Sequence, residues 1–101
     1  MVFDLSKVTG IGNYEKKTET SENGEKSRDL FYKADKVFLV VNKNTIEVRT
    51  DAELRKLLTE KYESVMESRY FGRGGIEIVL AGDQLKTDEL EDLVRLSYNL
   101  S

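Results

Sequence analysis

Apolar and polar positions alternate along most of this chain, and the phase of the alternation changes several times. Thr45-Ile46-Glu47-Val48-Arg49 alternates cleanly, which predicts a strand with Ile46 and Val48 inward and Glu47 and Arg49 outward. Ile76-Glu77-Ile78-Val79-Leu80 repeats the pattern. Val37-Phe38-Leu39-Val40-Val41 is continuously apolar, as expected of a central strand packed on both faces. Asn23-Gly24 is a strong hairpin signal, because both central residues of a type I′ turn need positive φ. That turn would set Glu22 against Glu25 and Glu19 against Arg28, with a return strand over Ser27–Lys33. Val65–Phe71 is a further strand candidate. Residues 1–13, punctuated by Gly10 and Gly12, suggest an irregular lead-in.

Two segments switch to helical spacing. Thr50-Asp51-Ala52-Glu53 has the form of a capping box, with Thr50 as the cap. Leu54, Leu57, Leu58 and Tyr62 follow on one face, so a helix is expected from Asp51 to Lys61. After Gly82-Asp83, Thr87 is the expected cap of a last helix. Asp88 and Glu89 stand in its first turn, where they complement the helix dipole, and Leu90, Leu93, Val94 and Leu100 lie on its buried face around Ser97. The pattern is that of an α+β domain in two layers, an antiparallel sheet with two helices packed on one face.

The 101 residues suit one domain, residues 1–101, with a core that needs no covalent staple. The chain has no cysteine and no histidine. Disulfides, thiolate metal sites and cysteine nucleophiles are excluded, and so are the commonest general base and neutral metal ligand. Any catalysis would rest on Asp, Glu, Lys, Tyr or Ser, and the expectation is a non-enzymatic protein with no cofactor. No apolar run approaches the length of a membrane span, and the N-terminus lacks the basic start and apolar core of a signal peptide, so a cytoplasmic location is expected by default. The net charge is −3, with nine Lys/Arg against eight Asp/Glu in residues 1–50 and seven against eleven thereafter. That balance disfavours duplex DNA as a partner.

Gly72-Arg73-Gly74-Gly75 is the sharpest local feature. Successive glycine amides beside an arginine could form a nest for phosphate or carboxylate, whereas a plain hairpin loop needs the same glycines for positive φ. Neither a phosphate-loop nor a dinucleotide-binding spacing is present, and the plain loop is preferred. Asp88, Glu89, Glu91 and Asp92 suit a solvated helix start better than a metal site. Tyr62, Tyr70, Phe71 and Tyr98 could stack on bases, but aromatics at such positions are more often core or sheet-packing residues. The basic set is Lys33, Lys36, Lys43, Arg49, Arg69 and Arg73. Of these, Lys43, Arg49, Arg69 and Arg73, together with Gly74, are the candidate contacts for nucleic acid or another anion.

Glu47-Val48-Arg49-Thr50-Asp51 running into Leu54, Leu57 and Leu58, then Tyr62-Glu63-Ser64-Val65, resembles the MmcQ/YjbR family. So does the ending Asp88-Glu89-Leu90-Glu91-Asp92-Leu93-Val94 with Ser97-Tyr98-Asn99-Leu100. The resemblance covers residues 36–101. It implies a two-layer α/β domain loosely similar to secretion-chaperone and frataxin-like folds, and members are commonly labelled DNA-binding. The chain departs from the family where a helix usually precedes the first strand, and where a basic block with His and Trp usually precedes the penultimate strand. Two functions from different classes follow. One is a monomeric interaction domain that binds a protein or small anionic partner through the exposed face of its sheet. The other is a weak DNA-binding module that contacts phosphates through the candidate cations and the Gly72–Gly75 loop.

Overall fold

The computed structural model describes residues 3–20, 27–82 and 84–101. Six strands, β1 (Glu15–Thr20), β2 (Ser27–Lys33), β3 (Lys36–Val41), β4 (Thr45–Arg49), β5 (Val65–Ser68) and β6 (Gly72–Val79), form one sheet in the order β1-β2-β3-β4-β6-β5. Every neighbouring pair is antiparallel. Helices α1 (Ala52–Lys61) and α2 (Thr87–Leu100) pack on one face, α1 over β5 and β6 and α2 over β3 and β4. The fold is the α+β architecture that the patterning predicts.

Strand β2 occupies the predicted return segment, and Glu19 faces Arg28 as expected, with their side chains 3.2 Å apart. The predicted Asn23-Gly24 turn lies outside the described residues. The β2–β3 hairpin closes through Ala34 and Asp35, between Lys33 and Lys36, and Ala34 takes φ 55°. A β-bulge follows. Phe31 faces Leu39 while Tyr32 faces Val37, so Phe38 is an extra residue in β3. The bulge changes the phase of the strand. Phe38 and Leu39 both join the helix-side core, whereas Val37 and Val40 cluster with Leu30 on the other face.

The bulge also separates β3 from β4 beyond the Leu39–Val48 pair, and α2 fills the opening. The fully buried Ser97 hydroxyl accepts from the Arg49 amide at 2.7 Å and donates to the Phe38 carbonyl at 2.5 Å. One side chain thereby satisfies two backbone groups that the ladder leaves open.

The helix boundaries correct three expectations. Asp51, not Thr50, caps α1, its carboxylate accepting from the Leu54 amide at 2.7 Å. Thr50 instead continues the sheet, its amide donating to the Gly74 carbonyl at 3.0 Å. Thr87 is the first helical residue of α2, and the Glu89 carboxylate accepts from the amide of Lys86, the residue before it, at 3.3 Å. On the predicted buried faces, Leu57 is 60% exposed and Leu100 49% exposed. Helix α1 lies over the β5–β6 margin and buries only the Leu54–Leu58–Tyr62 ridge partway, while Tyr98 takes the place expected of Leu100, its ring edge-on to Phe38 at 5.0 Å.

Residues 3–13 are irregular apart from a 3₁₀ turn at Leu5–Lys7, yet they wall the core. Phe3, Leu5 and Val8 are buried over the part of the sheet that the helices leave open, beside Phe31 and Val41. Arg95 donates to the Thr9 carbonyl, and Tyr98 donates its hydroxyl to the Asn13 carbonyl at 3.0 Å.

Candidate functional site

The Gly72–Gly75 stretch is not a loop. It is the first half of β6, and the turn is Arg69-Tyr70-Phe71, between the paired residues Ser68 and Gly72. Only Gly72 has positive φ, at 60°. Gly74 donates its amide to the Phe71 carbonyl at 3.2 Å, so that N–H is committed within the turn. Gly75 is required for closeness instead. A Cβ there would overlap the Val48 carbonyl oxygen and stand 2.8 Å from the Phe71 side chain. The absence of a side chain lets Phe71 lie down on the sheet.

The turn folds over the face opposite the helices and closes a polar network on it. Glu47 of β4 and Glu77 of β6 are directly opposed and only 1% and 2% exposed. Glu47 accepts from the Ser68 hydroxyl at 2.8 Å, the Tyr70 amide at 2.9 Å and the Asn42 side chain at 2.9 Å. Glu77 takes a two-pronged contact from Arg69, at 2.9 and 2.7 Å, and a third bond from the Thr45 hydroxyl at 2.8 Å. Asn42 also donates to Thr45, which links the two carboxylates through neutral groups. Burial pushes the Glu77 carboxyl up, but the bonds from Arg69 and Thr45 and the Arg69 charge outweigh it and hold its pKa below the usual value. The same partner raises the pKa of Arg69. Like charges opposed across strands repel, and here one guanidinium and four neutral donors offset that repulsion.

Sequence patterning placed Glu47 outward and did not single out either carboxylate. The available signal was the repeat itself, Ile46-Glu47-Val48 and Ile76-Glu77-Ile78, two apolar-flanked glutamates of which antiparallel pairing can make neighbours.

The candidate cations do not converge. Arg49 donates Nε to the Val37 carbonyl at 2.7 Å and lies 4.9 Å over the Phe71 ring. Arg69 is committed to Glu77. Lys43 and Arg73 are exposed at opposite ends of the β4–β6 pair, whose register runs from Thr45–Val79 to Arg49–Gly75. Lys33 bonds the Tyr98 carbonyl at 3.1 Å. The aromatics divide likewise. Tyr62 and Tyr98 belong to the helix side, while Tyr70 and Phe71 meet edge-on at 5.0 Å on the other face. In the acidic helix start, Glu89 meets Tyr62, and Glu91 and Asp92 pair with Arg95. Among the described residues, no group of three or more acidic side chains is placed to hold a metal.

Among the described residues, two open surfaces stand out. A groove of about 580 Å³ runs between the Leu5–Lys7 turn and β1–β2, lined by Asp4, Lys7, Tyr14, Lys16, Asp29 and Phe31. The second is the helix-free face, where three cation–aromatic contacts follow one another: Lys17 over Tyr32 at 5.1 Å, Arg28 over Tyr70 at 5.2 Å, and Arg49 over Phe71. No helix is long and apolar enough to cross a membrane among the described residues. Set beside known proteins, the chain matches no protein-family model, no curated protein and no solved structure.

Proposed function

We propose that this domain is a small non-enzymatic interaction module of the MmcQ/YjbR type, which binds a protein or small anionic partner through the helix-free face of its sheet. The strip formed by Lys17, Tyr32, Arg28, Tyr70, Arg49 and Phe71 carries the proposal. Tyrosine and arginine are enriched at protein interfaces, because they combine apolar area with directional donors and lose little side-chain freedom. Here the rings hold the cations in place before any partner arrives. Glu47 and Glu77, the buried carboxylates that could have served acid–base chemistry, are spent on fixing the turn that presents Tyr70 and Phe71. An antiparallel sheet with helices on one face is also the architecture that the family resemblance implies.

Weak DNA binding through Lys43, Arg49, Arg69, Arg73 and Gly74 is the alternative. Phosphate binding gains from adjacent, uncommitted cations, and these residues are dispersed or engaged, which favours the first function. A hexaglutamate peptide and a random duplex, titrated separately and followed by backbone amide shifts at physiological salt, distinguish the two. The peptide should move residues 28–32 and 69–71 saturably, and Arg28→Ala should weaken it about fivefold, as expected for loss of one partly exposed charge contact. A submicromolar duplex complex weakened by Arg69→Ala and Arg73→Ala would replace this function with the alternative.

A further inference from the structure

The two edges of the sheet are finished differently. β5 is four residues long and carries a register shift at Glu67/Ser68, and the Gln84 side chain takes the Ser64 amide beside it at 2.8 Å. Shortness and irregularity are the usual protections against pairing with another chain. β1 has neither. Its six residues pair with β2 without a shift, and all six are exposed.

Lysine is a further protection on edges, but the two lysines of β1 are partly offset. Lys16 is 3.8 Å from Asp29, and Lys17 lies over Tyr32. We propose that β1 pairs with β1 of a second copy, antiparallel about a two-fold axis through Thr18, to give a continuous twelve-stranded sheet.

The register follows from symmetry and charge. A two-fold axis that joins two edges into one sheet runs perpendicular to it, so opposed residues lie on the same face. Only registers that oppose odd with odd and even with even positions are then open. Centring on Lys17 opposes it to itself and sets Glu15 against Glu19. Centring on Glu19 opposes it to itself. Centring on Thr18 sets Lys17 against Glu19 of the second copy, twice, and Thr18 against Thr18, both favourable cross-strand pairs. On each side Glu19 already holds Arg28 of its own chain, so a row of alternating charge crosses the joint. A single six-residue seam is a small interface, and such contacts are weak, with dissociation constants on the order of 100 μM. The chain is then monomeric when dilute.

This pairing uses the backbone edge of β1 and shares only Lys17 with the strip on the helix-free face, so the Thr18→Cys cross-link reports on it separately from that strip. The chain contains no cysteine, so one substitution reports one contact. Thr18→Cys should cross-link to a second copy on mild oxidation, because directly opposed strand residues fall within disulfide reach, and Glu15→Cys should do so about tenfold more slowly. In sedimentation equilibrium the average mass should rise from 11.6 kDa with concentration. Lys17→Glu, checked for an unchanged thermal melt, should weaken association about tenfold. A single-chain mass up to about 1 mM overturns the proposal. So does cross-linking of Glu15→Cys as fast as Thr18→Cys, or an association indifferent to Lys17→Glu, which would place the contact elsewhere.

Discussion

Glu47 and Glu77 face each other across adjacent strands with almost no exposure, yet only Glu77 has a cation among the described residues. Arg69 therefore does more than an ordinary surface arginine, although its own side chain is 75% exposed. Arg69→Ala should cost about 1–3 kcal/mol, the range for stranding a buried acceptor. The value for a fully buried ion pair is discounted here because water reaches the guanidinium. Urea unfolding at neutral pH measures it, and a loss within about half a kcal/mol would mean that the network does not depend on this pair.

The same pair sets a pH dependence. The folded-state pKa of Glu77 is lowered, so the unfolded chain binds the proton more tightly. Its contribution is fully present above the unfolded glutamate value of about 4.3 and is lost as pH falls through the lower folded value. In Arg69→Ala the burial that raises this pKa is less opposed, and the loss of stability on acidification below about 4.3 should shrink or reverse. An unchanged loss would assign the acid sensitivity to other carboxylates.

Ser97 offers a test inside the core. Ser97→Ala removes the hydroxyl between the Arg49 amide and the Phe38 carbonyl and leaves both without that partner. The expected cost is about 1–3 kcal/mol, well above a surface Ser→Ala change. Hydrogen exchange at the Arg49 amide should quicken by more than global unfolding explains.

The glycines of β6 should divide by mechanism. Gly75→Ala should be the most damaging, since the new Cβ meets the Val48 backbone and the Phe71 ring. Gly72→Ala should cost about 1 kcal/mol through its positive φ, with open space around it. Gly74→Ala, whose nearest contact would be the Phe71 carbonyl at 3.4 Å, should be the mildest. Thermal melts of the three variants would give that order, and equal losses would contradict it.

Helix packing supplies the last comparison. Leu93→Ala should cost about 2–5 kcal/mol, whereas Leu57→Ala on the exposed side of α1 should stay within about half a kcal/mol. Similar values for the two would mean that Leu57 is buried as deeply as Leu93.

The predictable parts of this fold are those where apolar and polar side chains alternate in sequence. β4 alternates apolar and polar side chains as a half-solvated strand does, and its bounds and its inward Ile46 and Val48 follow from that pattern. The buried carboxylates were hidden for the same reason. Period-two alternation cannot show that residues 69–71 fold back over the outward face, so Glu47 looks solvated until that turn is in place. The bulge at Phe38 leaves no trace either, because a run of five apolar residues has no phase to break. The core wall built by residues 3–13 lacks any regular period, since Phe3, Leu5 and Val8 are placed by an irregular path. The shortfall at Leu57 and Leu100 is geometric. Helical spacing identifies a stripe, but the width of sheet beneath decides how much of it is covered.

The clasp of Arg95 and Tyr98 on residues 9–13 has a consequence for the order of events during synthesis. These contacts join residues 85 and 86 positions apart. Successive strands β1 to β4 are neighbours and can pair as they emerge, but Phe3, Leu5 and Val8 have no finished seat until α2 has been made. The sheet built from β1 to β4 therefore keeps an open apolar side until α2 is made, and closes in a step that brings residues 3–13 onto that helix.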